Sequence, residues 1–377
     1  MAGIYIHIPF CKKRCIYCDF YSSTNNNLVD KYIDALIEEF KIRIHEIDNN
    51  NITTIYIGGG TPSQLTPTQI DKLVTFLNSN LDFSKIEEFT IEVNPDDVTY
   101  DYIKKCISLG INRVSMGIQS FVDKELRFIN RRHNSTQAQQ AVATIKQAGI
   151  TNISIDLIYG LPLQTIDSWK YSIKRAIEMD VPHISCYNLS YEEGTPIYNM
   201  RKLGKITECS EDDCILMYET LIKELSAAGY EHYEISNYAK PKHYSKHNSN
   251  YWNLTPYLGL GASAHSFDGT TRRYNPTSIS EYIKKITELH KVAYDEEHET
   301  IYERYNEYIM INLRTMWGIN LNTIKELFGD TLTNHLIKYS RKFIVCGQLQ
   351  EVNNRITLTE QGIMLSEYII RNLMYLP

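Results

Sequence analysis

Two rhythms of apolar and polar positions alternate along the first 240 residues. Short apolar runs at residues 4–8, 54–57, 89–93, 113–117, 153–158 and 184–189 have the length and β-branched content of strands. Between them, apolar positions recur at helical spacing. The stretch 28–44 carries Leu28, Tyr32, Leu36 and Phe40 four apart, with Ile33, Ile37 and Ile44 beside them. Thr66, followed by Pro67 and Gln69, has the arrangement of a capping box, and Ser210 caps a further amphipathic helix that runs to about Ala228. Three helices end in Leu109-Gly110, Ala148-Gly149 and Ala228-Gly229, each leading into a strand-like run. Glycine past a helix end supplies the left-handed cap that turns the chain back. Six such units predict a parallel sheet, either an incomplete barrel or an open doubly wound sheet, with ligands at the C-terminal strand ends.

From about residue 290 the rhythm changes. Helical patterns at 301–316 and 321–328 precede a strand pair at 349–351 and 355–358, then a final helix from Thr359. This predicts a small helical domain with a wing-like hairpin. It lacks a dense basic recognition helix, so nucleic-acid binding is not expected. The expected organisation is 1–240 as the sheet domain, 241–290 as a connecting region and 291–377 as the C-terminal domain.

The 377 residues carry 39 basic and 45 acidic side chains, a net charge of −6, which offers no general attraction to nucleic acid or anionic membrane. No apolar run is long enough to span a bilayer, and the N-terminus reads as a strand rather than a signal peptide. The expected compartment is the reducing cytoplasm, where eight cysteines do not make a disulfide framework. Cys106 and Cys214 lie on helical apolar stripes and Cys186 in a strand-like run, so these are read as core residues. Cys209 and Cys346 show no ligand spacing.

Cys11, Cys15 and Cys18 are different. Their C-x3-C-x2-C spacing gathers three thiolates in one loop and supplies no fourth. A structural zinc site closes its tetrahedron with four ligands, often two from a distant knuckle. A [4Fe–4S] cluster on three cysteines leaves one iron open to another ligand. The second strand runs into Gly58-Gly59-Gly60-Thr61-Pro62, which is either a plain turn or a place where backbone approaches a ligand closely. Glu92, Asn94, Gln119 and Asp156 fall at strand ends, as ligand contacts or as caps of the next helix.

Taken together, Tyr-Ile-His-Ile-Pro-Phe-Cys-x3-Cys-x2-Cys, Gly-Gly-Gly-Thr-Pro, Ile-Glu-Val-Asn-Pro, Ser-Met-Gly-Ile-Gln-Ser-Phe and Asp-Leu-Ile-Tyr-Gly-Leu-Pro occur in one order. That series resembles the radical S-adenosylmethionine (SAM) proteins, within them the group of coproporphyrinogen III dehydrogenase and the HemW haem-chaperone branch. The resemblance spans roughly residues 4 to 270. It implies an α/β fold, an incomplete (β/α)6 TIM-like barrel of radical SAM type with a small winged-helix-like C-terminal domain. It implies that Cys11, Cys15 and Cys18 bind three irons and that SAM chelates the fourth. Tyr5, Gly59, Gly60, Thr61 and Glu92 would contact SAM. Gln119, Arg131 and Asp156 match positions that line a second SAM site in the dehydrogenase, and Tyr17 matches an aromatic that shields the cluster.

Within this group the dehydrogenase pattern places a fourth cysteine two residues past the third, where this chain has Phe20. The chain also starts at its first strand, without the extension expected of the dehydrogenase. His247-Asn248-Ser249-Asn250-Tyr251-Trp252 matches the H-N-x-x-Y-W signature of the haem-chaperone branch. Imidazole is a common axial ligand of haem iron, and Tyr251 and Trp252 can pack on a porphyrin face. Lys240, Lys242, His243, Lys246, Arg272 and Arg273 could pair the propionates; the bland alternative is a solvated basic loop beside a core aromatic pair. His265 is a second candidate ligand. The expected function is a haem chaperone that binds haem, a [4Fe–4S] cluster and exchangeable SAM, takes electrons from a donor, and passes haem to acceptors such as respiratory proteins. No residue is assigned a catalytic role. Oxidative decarboxylation of coproporphyrinogen III and a radical SAM reaction on another substrate are the competing readings.

Overall fold

The computed structural model describes residues 1–48, 51–292 and 294–376. Six parallel strands lie side by side in sequence order: β1 (Ala2–Ile8), β2 (Ile52–Gly59), β3 (Glu88–Val93), β4 (Arg113–Gln119), β5 (Asn152–Tyr159) and β6 (His183–Asn188). Helices α1 (Val29–Arg43), α2 (Pro67–Asn80), α3 (Tyr100–Ser108), α4 (Asp123–Phe128), α5 (Ser135–Ala148) and α6 (Ile166–Glu178) cross over between successive strands. The capping box at Thr66 and Gln69 forms as expected, and Gly149 closes α5 at φ +116.

The strands differ from ordinary parallel strands, which read as unbroken apolar runs because helices cover both faces. Here one face of each strand is apolar and the other polar. Ile4, Ile6, Ile8, Ile55, Ile57, Ile91, Met116, Ile155 and Ile184 are fully buried under the helices. Tyr5, His7, Thr54, Tyr56, Glu92, Arg113, Ser115, Asp156 and Ser185 alternate with them and so face the lumen. Burying each isoleucine stabilises the fold by about 1.5–3 kcal/mol. The lumen is left polar and available to a ligand. The register sets Glu92 beside Ser115, and Asp156 beside both Gly117 and Ser185.

The sheet continues at both edges. After α7 (Pro196–Lys202) and α8 (Glu211–Ala227, capped by Ser210), β7 (Glu231–Glu234) and β8 (Asn237–Ala239) extend it antiparallel beyond β6. The stretch expected as a connecting region is built into the sheet. It carries α9 (Lys246–Trp252), β9 (Tyr257–Leu260), β10 (His265–Phe267), β11 (Thr271–Tyr274) and α10 (Ile279–Thr287). β9 pairs parallel with β1, and β10, β11 and β12 (Asp295–His298) follow antiparallel. The twelve strands curl without closing: β7 and β12 are the two edges.

The last segment has its own core around Tyr305, Ile309, Ile324, Leu336, Ile356 and Ile369. It comprises α11 (Ile301–Leu313), β13 (Ile319–Asn320), α12 (Leu321–Val345), the hairpin β14 (Leu349–Val352) and β15 (Arg355–Leu358), then α13 (Glu360–Ile363) and α14 (Ser366–Leu373). α12 bends at Gly329 (φ 77, ψ 178), one residue past the expected helix 321–328.

Candidate functional site

The loop after β1 carries the three cysteines to the C-terminal mouth of the lumen, and backbone bonds fix it there. Cys11 N donates to Ser23 O at 2.9 Å, Ile16 N to Ile129 O at 3.3 Å, and Ile197 N to Ile16 O at 3.0 Å. Tyr17 packs into a small apolar cluster with Ile129, Ile158, Leu161 and Leu189, anchoring the middle of the loop. Asp97 ties the loop to its surroundings, since it accepts from Lys12, Ser63, Gln64 and Arg132. Cys11, Cys15 and Cys18 are free thiols. Thr61 Oγ1 lies 3.4 Å from Cys11 Sγ, and Arg131 Nη1 the same distance from Cys15 Sγ. Burial raises the Cys11 thiol pKa and pushes that of Cys18 up to about 11.

The turn after β2 comes close to this loop because it has no side chains in the way. Gly60 N donates to Ile8 O at 2.9 Å. A Cβ on Gly60 would stand 2.9 Å from Cys11 Sγ and 3.1 Å from Ile8 O and Phe10 N. Gly59 has φ +110, and its N donates to Glu92 Oε2 at 3.1 Å. Tyr56 OH donates to Glu92 Oε1 at 2.7 Å. Desolvation, reinforced by the nearby Asp156 charge, pushes the Glu92 pKa up to about 7. Burial likewise pushes Asp156 up to about 6.

Gln119 ends β4 at a bulge with φ +70, a conformation that a non-glycine residue holds only at a cost. Gly117 makes room for it: a Cβ there would lie 2.6 Å from Gln119 Nε2 and 3.3 Å from Arg131 Nη2. Arg131 also donates to Asn94 Oδ1 and Gly117 O, and its buried Nε has no partner among the described residues.

These residues share one cavity of about 630 Å³, within the roughly 300–1,000 Å³ usual for small-molecule sites. Its walls include the three cysteines, Tyr17, Gly59, Gly60, Thr61, Glu92, Gln119, Arg131 and Asp156. The donor set suits an iron–sulfur cluster with a partner molecule. Three thiols face a polar chamber, the glycine turn admits a ligand to the backbone, and the orphaned Arg131 Nε offers a donor. Among the described residues, no three His, Cys, Asp or Glu side chains converge as they must on a single metal ion. A cubane cluster instead takes each thiolate on a separate iron.

Two candidates lie elsewhere. Tyr5 sits beside Tyr56 in register, stacked on its ring, with its hydroxyl 2.9 Å from His7 Nδ1, outside the cavity wall. His247 fills the opposite end of the lumen, 1% exposed. Its Nδ1 lies 2.9 Å from Thr54 Oγ1, its Nε2 lies 3.0 Å from Tyr251 OH, and its ring stacks on Tyr56. Both ring nitrogens are therefore engaged. Glu88 holds the start of α9 there, accepting from Lys246 N at 2.9 Å and His247 N at 3.0 Å.

Most of the basic residues expected to pair propionates are taken by carboxylates. Arg272 pairs with Glu299 and Glu307, Arg273 with Glu296 and Asp268, Lys240 with Asp180, and Lys246 with Glu87. His265 is exposed on β10 against Tyr274. Cys106 and Cys186 are buried as expected, but Cys214 is only half-buried, hydrogen-bonded to Cys209. Sequence reasoning missed Tyr56, Asp97 and the buried Arg113. The signal for Tyr56 and Arg113 was the polar alternation along β2 and β4; Asp97 gave none.

Comparison with known proteins adds the following. Residues 5–176 match the Radical SAM superfamily, and residues 302–365 match the HemN C-terminal domain. The chain is 35% identical over 372 residues to the heme chaperone HemW of Bacillus subtilis, covering 98% of each. It is 34% identical over 371 residues to the heme chaperone HemW of Lactococcus lactis, covering 98% of this chain and 96% of that one. The solved structure of coproporphyrinogen III oxidase (HemN) from Escherichia coli, a radical SAM enzyme, superposes with a TM-score of 0.85 at 23% identity, over 99% of this chain and 90% of that one.

Proposed function

The chain belongs to the HemW branch of the radical SAM superfamily, and we propose that it is a haem chaperone that holds a [4Fe–4S] cluster on Cys11, Cys15 and Cys18, binds SAM exchangeably beside it, and passes haem to acceptor proteins. The observation that carries this reading is the rim of the 630 Å³ cavity: three free thiols, no fourth cysteine, and two carboxylates deep in the wall. Phe20, where the dehydrogenase pattern has its fourth cysteine, is 69% exposed at that rim.

A cluster so held supplies a one-electron couple and one iron open to a non-protein ligand. The chain's own residues do the rest. Glu92 and Asp156 offer negative charge to a sulfonium and an amine, and the Gly59–Thr61 turn offers backbone. Arg131 balances a thiolate and, with Gln119 and Asp156, lines the position expected for a second SAM. Tyr17 and its apolar cluster keep water from one side of the loop. Haem is taken up at the segment from His247 to Trp252. His247 holds that segment in place through its bonds to Thr54 and Tyr251. An electron donor is required to reduce the cluster.

Anaerobic reconstitution tests the reading. It is expected to return about four irons and four sulfides per chain, and to fail in Cys11→Ser, Cys15→Ser and Cys18→Ser. Haem titration is expected to shift the Soret band and saturate near about one haem per chain. Stoichiometric zinc without sulfide, or no Soret change, overturns it. Protoporphyrinogen formation from coproporphyrinogen III would replace it with the dehydrogenase reading.

A further inference from the structure

The hexapeptide from His247 to Trp252 is one helix, α9, and a helix separates residues by face. His247 and Tyr251, four apart, face the lumen and bond to each other. Ser249 and Trp252, three apart, lie on another face and line a second cavity, of about 830 Å³. This cavity is at the opposite end of the sheet from the cysteines. Thr53 and Thr54 at the start of β2 form one wall; Arg304, Tyr308 and Asn312 form another, spaced four apart on α11. Thr323 and Leu327 of α12, Trp317 and Arg355 complete it. Two of the chain's three tryptophans therefore face one space.

Its chemistry is distinctive. Four cations, Lys242, Lys246, Arg304 and Arg355, stand against a single carboxylate, Glu87, in a chain whose net charge is −6. Glu87 pairs with Lys246, and Arg355 donates to the Trp317 carbonyl at 3.0 Å. Lys242 and Arg304 make no ion pair among the described residues. Trp252 Nε1 and Ser249 Oγ are buried and lack a hydrogen-bond partner among those residues. A buried donor without a partner carries a free-energy cost that a ligand can remove. Flat aromatic walls, unpaired cations and orphaned donors together fit a planar, largely apolar molecule with more than one carboxylate.

We propose that this second cavity, between the N-terminal ends of β1–β3 and the C-terminal helices, docks the haem macrocycle. Trp252 and Trp317 meet the ring, and Arg304, Arg355 and Lys242 receive the propionates. The inference rests on the haem-chaperone reading and gives it a place separate from the cluster. Docking by ring and carboxylates does not require the iron, because His247 points away from this cavity.

The test is a Soret titration of the full chain with metal-free protoporphyrin IX and, in parallel, with haem. The wild type is expected to bind both. Arg304→Glu and Arg355→Glu are each expected to raise the Kd for protoporphyrin at least about tenfold through lost charge-assisted bonds. Arg304→Lys is expected to stay near wild type, as is Lys174→Glu, which changes an exposed cation on α6. Thermal melts of the same variants confirm that each is folded. Equal protoporphyrin affinity in all variants overturns the proposed cavity, as does binding of haem without binding of protoporphyrin. If the wild type binds neither, the haem-chaperone reading itself falls.

Discussion

Arg131 reaches across 116 residues of chain to place Nη1 3.4 Å from the Sγ of Cys15. A guanidinium so close to the sulfur donates a hydrogen bond to it and sets a positive charge where a cluster on thiolates would carry negative charge. At Cys11 and Cys18 burial is the largest influence and raises the thiol pKa, against smaller opposing hydrogen bonds such as that from Thr61 to Cys11. Arg131→Gln is therefore expected to lower iron and sulfide content several-fold after reconstitution at pH 7. Equal loading of variant and wild type at pH 7 would show that the arginine has no such role.

Gly60 makes a second, steric prediction. A Cβ there would stand 2.9 Å from Cys11 Sγ and 3.1 Å from two backbone atoms, and backbone cannot swing aside as a side-chain tip can. Gly60→Ala is expected to displace the cysteine loop, costing about 1–3 kcal/mol of stability and most of the cluster. Measured iron content should fall further than the melting temperature suggests. A fully loaded Gly60→Ala protein contradicts this.

Glu92 links the site to pH. Its folded pKa is about 7 against an ordinary 4.5, so the folded state favours the neutral acid. That contribution is complete below about pH 4.5 and is lost as pH rises through 7. Glu92→Gln never ionises, so it should gain stability over the ligand-free wild type as pH rises from 4.5 to 8, by up to about 3 kcal/mol. SAM, a cation at its sulfonium and amine, should reverse the preference. Its affinity for the wild type is expected to rise between pH 6 and pH 8, and the rise should flatten in Glu92→Gln. Isothermal titration at the two pH values decides, and a parallel rise in both proteins would remove Glu92 from the site.

The parts of this architecture readable from sequence are those governed by local periodicity. All six parallel strands fall where apolar runs stand, and Thr66 and Ser210 cap the helices they were expected to cap. The edge strands β7 to β12 were not legible. They run three or four residues and include Gly259, Asn237 and the four exposed residues Asp295–His298, so their pairing comes from the neighbouring strand rather than from their own composition. In the site, the cysteines, the glycine turn and Glu92 were legible because chemistry and spacing coincide. The orientation of His247 was not. A hexapeptide does not say which face of its helix meets the lumen, and that is settled by Thr54, Tyr56 and Glu88, which lie over 150 residues earlier. The occupied state of Arg272 and Arg273 was hidden for the same reason, since most of their acidic partners lie on β12 and α11 or next to them.

Buried histidines set the protein's response to acid. Burial lowers His7 to about 4 and His133 and His247 to about 3, and holds His183 well below its ordinary value. The unfolded chain takes up these four protons near pH 6.5, while the folded chain refuses them. Stability from these groups is thus present above pH 6.5 and is lost as pH falls, by about 1.4 kcal/mol per unit for each histidine. Glu92 and Asp156 pull the other way between about pH 4 and 7, because the folded state takes up their protons first. Four groups against two leave a net loss of about 3 kcal/mol per pH unit in the window from 6 to 4.5. Set against a typical total of about 5–15 kcal/mol, this predicts unfolding of the ligand-free protein not far below pH 4.5. Urea midpoints at pH 7, 6 and 5 should fall in that order. The fall should steepen in the double variant Glu92→Gln/Asp156→Asn, which keeps the histidines and loses the opposing carboxylates. Midpoints that stay constant from pH 7 to pH 5 would mean that the lumen admits protons to its histidines in the folded state.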